Sequence, residues 1–555
     1  MALTSIVVVP ARDEERRIAN CLRALAEQTV GPGAFEVVLV LDRCRDATET
    51  IAVRAAARLG LQLTTVTGPG RGPGAARRLG MELAAERLHA LGCPGGLIAT
   101  TDADSAAAPD WLERQLAHLA AGAEAVAGLI ELDSDEGAGL PPAVLARRAC
   151  DAERRLARVR RADAAAGHHH FAGASIGITA AAYARVGGLE PLPALEDAAF
   201  ATRLARAGVP VLRPVDVRVR TSARADGRVS RGLSVDLEVS LWRERNRFAA
   251  ADFDLGALAA ARDATGTTVT VIIPTKQCAE TIGGVLTETV APLQQAGLVD
   301  QVVVIDAGSP DGTAAVAAAC GAEVLQQDAL APEHGPALGK GDAMWRALAA
   351  TDGELVCFLD GDTADPSPLH LLGLLGPLLT RADIRFVKGA FERPLRRGDQ
   401  VSDHEGGRVT ELMARPLINL HQPRLAGFAQ PLAGEFAAHR ELLEAMPFPV
   451  GYGVEIAVLI DALRREGLAA LAESDLGRRQ NRHQSLRALG EMAFAVLAAA
   501  ERRRGPGHEV ISDSYVRPWE DGASHAVAIE ERPPLASLSA ADRVRHVDGD
   551  LASSV

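Results

Sequence analysis

Val269-Thr270-Val271-Ile272-Ile273-Pro274 decides the fold, because the chain contains its pattern twice. The residues before the proline suit a strand buried on both faces, and Ile6-Val7-Val8-Val9-Pro10 repeats the arrangement 264 residues earlier. Working outward, a second strand follows in each half. Val37-Val38-Leu39-Val40-Leu41 runs into Asp42, and Val302-Val303-Val304-Ile305 runs into Asp306. The interval from proline to aspartate is 32 residues both times. A third strand ends in a pair of aspartates one residue apart, Asp102-Ala103-Asp104 and Asp360-Gly361-Asp362. Ala-rich stretches of helical period, such as Ile51 to Leu59 and Thr313 to Ala319, lie between the strands. Strand–helix alternation predicts an α/β fold with a parallel sheet covered on both faces. Its repetition predicts two such domains in tandem.

Composition bounds the rest. A chain of 555 residues that is 48% hydrophobic has enough apolar material for two cores, and with 3% aromatics those cores rest on Ala, Val and Leu. The net charge of −13 argues against nucleic acid as a partner, since phosphate-backbone affinity depends on clustered Lys and Arg. No apolar run approaches the roughly 18 residues of a membrane span, and Ser5 to Val9 reads as a strand rather than a signal peptide. Cysteines 21, 44, 93, 150, 278, 320 and 357 are scattered, odd in number and free of any C-x-x-C pair. That pattern fits reduced thiols in a cytoplasm. The expected domains are 1–255 and 265–504, with a boundary between Phe253 and Thr267. A polar tail, 505–555, is expected to be peripheral and partly disordered, with Tyr515 and Trp519 pinning part of it.

In an open parallel sheet, ligands bind beyond the carboxyl ends of the strands, where all these aspartates fall. Asp102 with Asp104, and Asp360 with Asp362, can hold Mg²⁺ or Mn²⁺ through oxygen ligands and so neutralise a leaving diphosphate. A lone pair of this kind is more often a turn, but two at matching positions favour the metal. Asp42 and Asp306 either accept hydrogen bonds from a ribose or base, or serve as turn and capping residues. A further acid follows each pair at an interval of 95 residues, Asp197 after Asp102 and Glu455 after Asp360. Glu196 and Asp197 are either helix-start acids or a source of the base that deprotonates an acceptor hydroxyl. The run Gly68 to Gly74 reads as a flexible loop over a diphosphate with Arg77 or Arg78 nearby, and Lys340 lies between two glycines in the second half. His168-His169-His170 reads as an exposed or acceptor-facing loop.

Both halves resemble nucleotide-sugar glycosyltransferases of the GT-A fold. The first resembles family 2 enzymes through Pro10-Ala11-Arg12-Asp13-Glu14-Glu15, Asp102-Ala103-Asp104, Gly173-Ala174-Ser175, Gly187-Gly188 and Glu196-Asp197. The resemblance implies Asp197 as general base, Asp104 as principal metal ligand and Glu14 near the nucleotide. The second half resembles the actinobacterial glucosyl-3-phosphoglycerate synthase family over roughly 268–503. The matching runs include Gly339 to Arg346, Gly406 to Leu412, Gln430 to Glu435 and Gly451 to Ile456.

That resemblance implies glucose transfer from a nucleotide donor, UDP-glucose or another nucleotide sugar, to the 2-hydroxyl of 3-phosphoglycerate with retention. It assigns Asp360, Asp362 and His483 to the metal, and Pro274, Thr275, Asp306, Lys340 and Asp360 to the donor. Gly407, Arg408, Val409, Thr410 and Asn481 go to the acceptor, with Glu455 beside it. Cys278 stands where the family has a glutamate that contacts the nucleotide, and Asn481-Arg482-His483 reverses the family's order. A sugar-nucleotide-forming nucleotidyltransferase remains an alternative, as does a fusion in which one domain only binds or scaffolds. A homo-oligomer is compatible with the sequence.

Overall fold

The computed structural model describes residues 4–227, 231–397, 400–402, 406–479, 485–505, 507–508, 510, 512–518 and 523–538. The chain divides into two compact units, Met1–Leu241 and Trp242–Val555.

In the N-terminal unit the strand Ser5–Ala11 lies between Glu36–Leu41 and Leu97–Thr100, parallel to both. Its side chains alternate across the sheet. Val7 and Val9 enter one apolar cluster, and Ile6 and Val8 enter the other. This is the double-sided burial that its unbroken apolar run predicts. In the C-terminal unit Val269–Thr275 takes the same place between Gln301–Asp306 and Leu355–Phe358. Even the register repeats: Val7 faces Val37 and Ala99, and Val271 faces Val302 and Cys357.

The sheets are mixed rather than wholly parallel. Ile176–Thr179 runs antiparallel to Leu97–Thr100, and Phe436–His439 runs antiparallel to Leu355–Phe358. Each of these strands follows a long excursion from the sheet, and its direction cannot be read from apolar runs alone.

Two expectations about the chain's layout are corrected. The stretch 253–267 is not a linker. Asp254 caps the helix Leu255–Thr265 by accepting from Ala257 N at 2.9 Å, and Gly266 ends it in the left-handed region. The division falls earlier, and the short strand Arg247–Ala249 pairs with Glu473–Asp475 in the eight-stranded sheet of the C-terminal unit.

The tail is not wholly peripheral either. Glu531–Arg532 pairs antiparallel with Phe448–Pro449, Leu535 is buried, and Trp345 Nε1 donates to Pro533 O at 2.9 Å. Tyr515 packs against Phe494 with ring centroids 5.8 Å apart, whereas Trp519 lies outside the described residues.

Candidate active site

In the C-terminal unit Asp360 begins two residues beyond the strand Leu355–Phe358, at its carboxyl end. The loop is pinned from both sides: Thr281 Oγ1 donates to Gly361 O at 2.7 Å, and Thr363 Oγ1 to Asp360 O at 3.3 Å. Gly434 lies directly on Asp360, so that any Cβ there would fall on the carboxylate. The helix Lys340–Ala349 starts alongside. Gly341 lets this helix press against the Pro449 carbonyl, which a Cβ would strike. That approach brings Lys340 Nζ to 2.6 Å from Asp360 Oδ1 and 2.8 Å from Glu455 Oε1. Glu455 lies in the first turn of the helix Val454–Glu466, where the helix dipole favours a carboxylate.

One ammonium therefore bridges two carboxylates. Burial alone would lower the lysine's pKa, but Asp360 and Glu455 outweigh it and hold Lys340 protonated well above the usual range. Burial would likewise raise Asp360, yet Lys340, Arg479 and Arg393 hold its carboxyl down at about 2.

Several more residues surround this centre, and of them Glu435 alone falls in one of the family-matching runs. Arg479 and Glu435, both buried, form an ion pair, and Arg479 also donates to Thr363 Oγ1. The Arg479 guanidinium lies 5.2 Å from the ring centroid of Phe391. Lys388 is wholly buried, with Nζ 3.4 Å from Glu455 O and 4.9 Å from the centre of the Phe436 ring. Burial drives its pKa down to about 7, with the Glu455 charge acting in the opposite direction. Between pH 7 and the ordinary lysine value of 10.5 the unfolded chain holds a proton there that the folded chain lacks, so this group's contribution to stability rises with pH across that window. Lys388→Met is expected to raise the melting temperature, and by more at pH 6.5 than at pH 9.5; thermal melts at the two pH values check it.

From the tail, Arg532 reaches buried Asp342 with Nε at 2.7 Å from Oδ1 and Nη2 at 2.8 Å from Oδ2. Asp342 Oδ2 also accepts from Leu338 N at 2.9 Å, just before the glycine that precedes Lys340. Arg532 thus supports the segment that aims the bridging lysine. Arg532→Ala is expected to lower kcat about tenfold, the effect of losing roughly 1.4 kcal/mol of positioning, with KM for the acceptor unchanged. Steady-state kinetics read both constants.

The remaining sites fall as follows. Pro274 and Thr275 close the first strand, in register with Ile305 and Asp306, and Thr275 Oγ1 donates to Ile305 O at 3.2 Å. Asp306 accepts from Ser309 N at 2.9 Å and from Gln326 Nε2 at 3.3 Å, so it holds a turn in this structure. Gly407, at φ +66°, turns the chain into the helical segment that Thr410 enters as a buried residue, with Arg408 and Val409 half-buried before it. Gly406 packs on the carbonyl of Arg393, whose charge acts on Asp360. Asn481 and His483 lie outside the described residues.

The N-terminal unit builds its centre differently. Asp102 Oδ1 lies 2.7 Å from Arg77 Nη2, and Glu196 Oε1 lies 3.4 Å from Arg77 Nε. Arg77 is buried, donating also to Thr100 Oγ1 at 2.6 Å and Gly173 O at 2.9 Å. It is a fixed interior cation rather than a residue on a flexible loop, and Arg78 instead pairs with Glu82 at 2.7 Å. The glycine loop is itself held, because Asp42 accepts from Gly70 N at 2.5 Å and Gly72 N at 3.0 Å.

Asp104 lies 2.9 Å from Arg224, which also grips Glu14 at 2.7 Å. Asp197 lies half-buried in the first turn of the helix Glu196–Arg206 and accepts from Ala198 N at 2.7 Å. Burial raises its carboxyl above the ordinary range, the direction that suits a base. His168 is buried rather than exposed, and burial pushes its pKa down to about 4. Asp13, Cys44 and Asp46 also cluster, but Asp13 accepts from Arg45 N and Asp46 from Thr48, which makes them a turn's own fastening.

Comparison with known proteins agrees with this doubled architecture. The glycosyl transferase family 2 model matches residues 6–179 and again 270–406. A glucosyl-3-phosphoglycerate synthase of Mycolicibacterium smegmatis is 43% identical over 281 residues, 49% of this chain and 90% of that relative. The crystal structure of a mannosyl-3-phosphoglycerate synthase from Rubrobacter xylanophilus is 43% identical with a TM-score of 0.50, covering 54% of this chain and 98% of that one. A Mycobacterium tuberculosis glucosyl-3-phosphoglycerate synthase, solved with Mn²⁺, UDP-glucose and phosphoglyceric acid, is 40% identical with a TM-score of 0.46, covering 51% of this chain and 95% of that one. With two strand-end carboxylate centres in one chain and the family's model matching each half, the protein belongs to glycosyl transferase family 2, its C-terminal half to the glucosyl-3-phosphoglycerate synthase branch.

Proposed function

We propose that the C-terminal unit transfers glucose from UDP-glucose to the 2-hydroxyl of 3-phosphoglycerate, forming glucosyl-3-phosphoglycerate with retention. The observation that carries this reading is the Lys340 bridge between Asp360 and Glu455, at the edge where the family-matching runs converge. The hard carboxylate oxygens of Asp360 and Asp362 suit Mg²⁺ or Mn²⁺, and Gly434 keeps the space beside Asp360 clear of a side chain. Such an ion, when bound, neutralises charge on the diphosphate as it leaves. Lys340 adds a second positive charge at the same place, already oriented before substrate arrives. Arg408 and Thr410 hold the phosphate and carboxylate of the acceptor, Arg408 through its planar fork and Thr410 through its hydroxyl. Glu455, held by the same lysine at 2.8 Å, stands beside the acceptor.

Arg408→Ala is expected to raise KM for 3-phosphoglycerate by about one to two orders of magnitude, the effect of one lost charge-assisted pair, while KM for UDP-glucose stays near wild type. The reaction itself is tested by incubating the full chain with UDP-glucose, 3-phosphoglycerate and Mn²⁺ and assaying UDP and the phosphorylated glucoside. Preference for a mannosyl donor over UDP-glucose would instead align this unit with the mannosyl-3-phosphoglycerate synthase of Rubrobacter xylanophilus. Release of pyrophosphate instead of UDP would revive the nucleotidyltransferase reading.

The scattered free cysteines support a cytoplasmic setting, and no described helix is long and apolar enough to cross a membrane.

A further inference from the structure

We propose that the N-terminal unit has replaced its divalent cation with Arg224, so that its nucleoside-diphosphate site works without metal beside a metal-dependent one. This rests on that unit's membership in family 2, which the family model shows.

The case begins with where the guanidinium sits. Arg224 Nη2 lies 2.9 Å from Asp104 Oδ2 and 2.7 Å from Glu14 Oε1, and Nη1 lies 3.1 Å from Glu14 Oε2. With Arg77 at 2.7 Å from Asp102, all three carboxylates at this strand edge are held by guanidinium groups. Arg224 is only 17% exposed, and Arg77 is 3% exposed. A divalent ion on Asp104 would have to displace Arg224 and leave a largely buried charge without that carboxylate.

Nor does Arg224 hang from a loose loop. Its own N–H donates to Ser222 Oγ at 3.2 Å, and Ser222 Oγ donates to Glu136 Oε2 at 2.6 Å. The same Glu136 oxygen accepts from Ala223 N at 2.7 Å, and Ser222 N donates to Asp104 O at 3.3 Å. The base of the arm is therefore tied to the loop whose carboxylate its tip covers.

The second unit supplies an internal control. Glu14 N donates to Thr48 Oγ1 at 2.7 Å, and Cys278 N donates to Thr313 Oγ1 at 2.9 Å, so Glu14 and Cys278 occupy the same position. A thiol cannot anchor a guanidinium fork as a carboxylate does. Glu14 thus gives Arg224 an anchor over Asp104 that Cys278 cannot offer an arginine in the second unit. The ligand class that follows is a nucleoside diphosphate, met by two fixed guanidinium groups instead of an ion.

The experiment uses the full chain and counts Mn²⁺ by equilibrium dialysis with electron paramagnetic resonance, in the presence of UDP, GDP or ADP in turn. With UDP the expected result is one Mn²⁺ per chain, lost in D362N and unchanged in D104N. R224Q is expected to gain a second Mn²⁺ that the added D104N substitution removes. In the D362N chain with EDTA, at least one of the three nucleotides is expected to bind still, and R224Q to weaken it at least tenfold.

Two Mn²⁺ in the wild-type chain, one of them lost in D104N, would overturn the proposal. So would an R224Q chain that melts like wild type and gains no ion, or a D362N chain that binds no nucleotide in EDTA. A wild-type chain with no Mn²⁺ at all would count against the C-terminal reading instead, and R224Q acquiring one would still support the N-terminal one.

Discussion

Lys340→Met is expected to reduce turnover by two to three orders of magnitude while leaving the fold intact. The ammonium does two things at once. It separates Asp360 from Glu455, whose oxygens lie 2.6 and 2.8 Å from it, and in the proposed reaction it places positive charge where the departing diphosphate develops negative charge. Preorganised donors at such a position are worth about 10²–10³ in kcat when one is removed. The methionine keeps the stem's packing and removes only the charge. The two carboxylates then repel, one takes up a proton, and the pH–rate profile should acquire a new limb in the acid range. Steady-state rates with UDP-glucose and 3-phosphoglycerate, together with a melting curve, separate lost chemistry from lost folding. Activity within threefold of wild type would remove Lys340 from the mechanism.

Asp362→Asn is expected to cost at least as much, about a thousandfold, and to abolish the dependence of rate on Mn²⁺ concentration. Replacing a carboxylate with an amide leaves the shape of the loop and removes the negative charge that draws a hard cation. A metal ion's electrostatic stabilisation is worth several kcal/mol, and about 4 kcal/mol corresponds to that factor. Asp362 acts electrostatically on the Cys278 thiol, which burial first of all, and this carboxylate further, pushes above the ordinary range. The substitution should therefore also lower that pKa, which thiol alkylation rates against pH can follow. A wild-type enzyme that keeps full activity in EDTA would sink the metal reading of this unit.

Much of the architecture was legible from local runs. The apolar strands, their terminal prolines and the aspartate pairs sit in short segments whose character does not depend on distant contacts. The bridge of Lys340 to Asp360 and Glu455 was half legible. Each residue stood out in its own run, but nothing in the spacing says that one lysine satisfies both acids, 20 and 115 residues away. The mixed sheet was not legible, because Ile176–Thr179 and Phe436–His439 have strand character without direction. The segment 253–267 misled because Ala, Gly and Asp also make good helix interiors, ends and caps.

What the residues decided alone is therefore the repeated α/β frame and the placing of two acidic centres at strand ends, since hydrophobic period and turn chemistry are local properties. What waited for the folded chain is which cation meets which carboxylate. Arg224, Arg479, Lys388 and Arg532 are four among 59 basic residues with no motif to mark them, and Arg77 stood out only as one of two arginines after a glycine run. Their roles arise where segments far apart in the chain cross at the sheet edge. There burial removes water, and a buried carboxylate must find a counter-charge wherever the fold delivers one. That delivery differs between two frames of matching register: Lys340 meets Asp360 in one, and Arg77 and Arg224 meet Asp102 and Asp104 in the other.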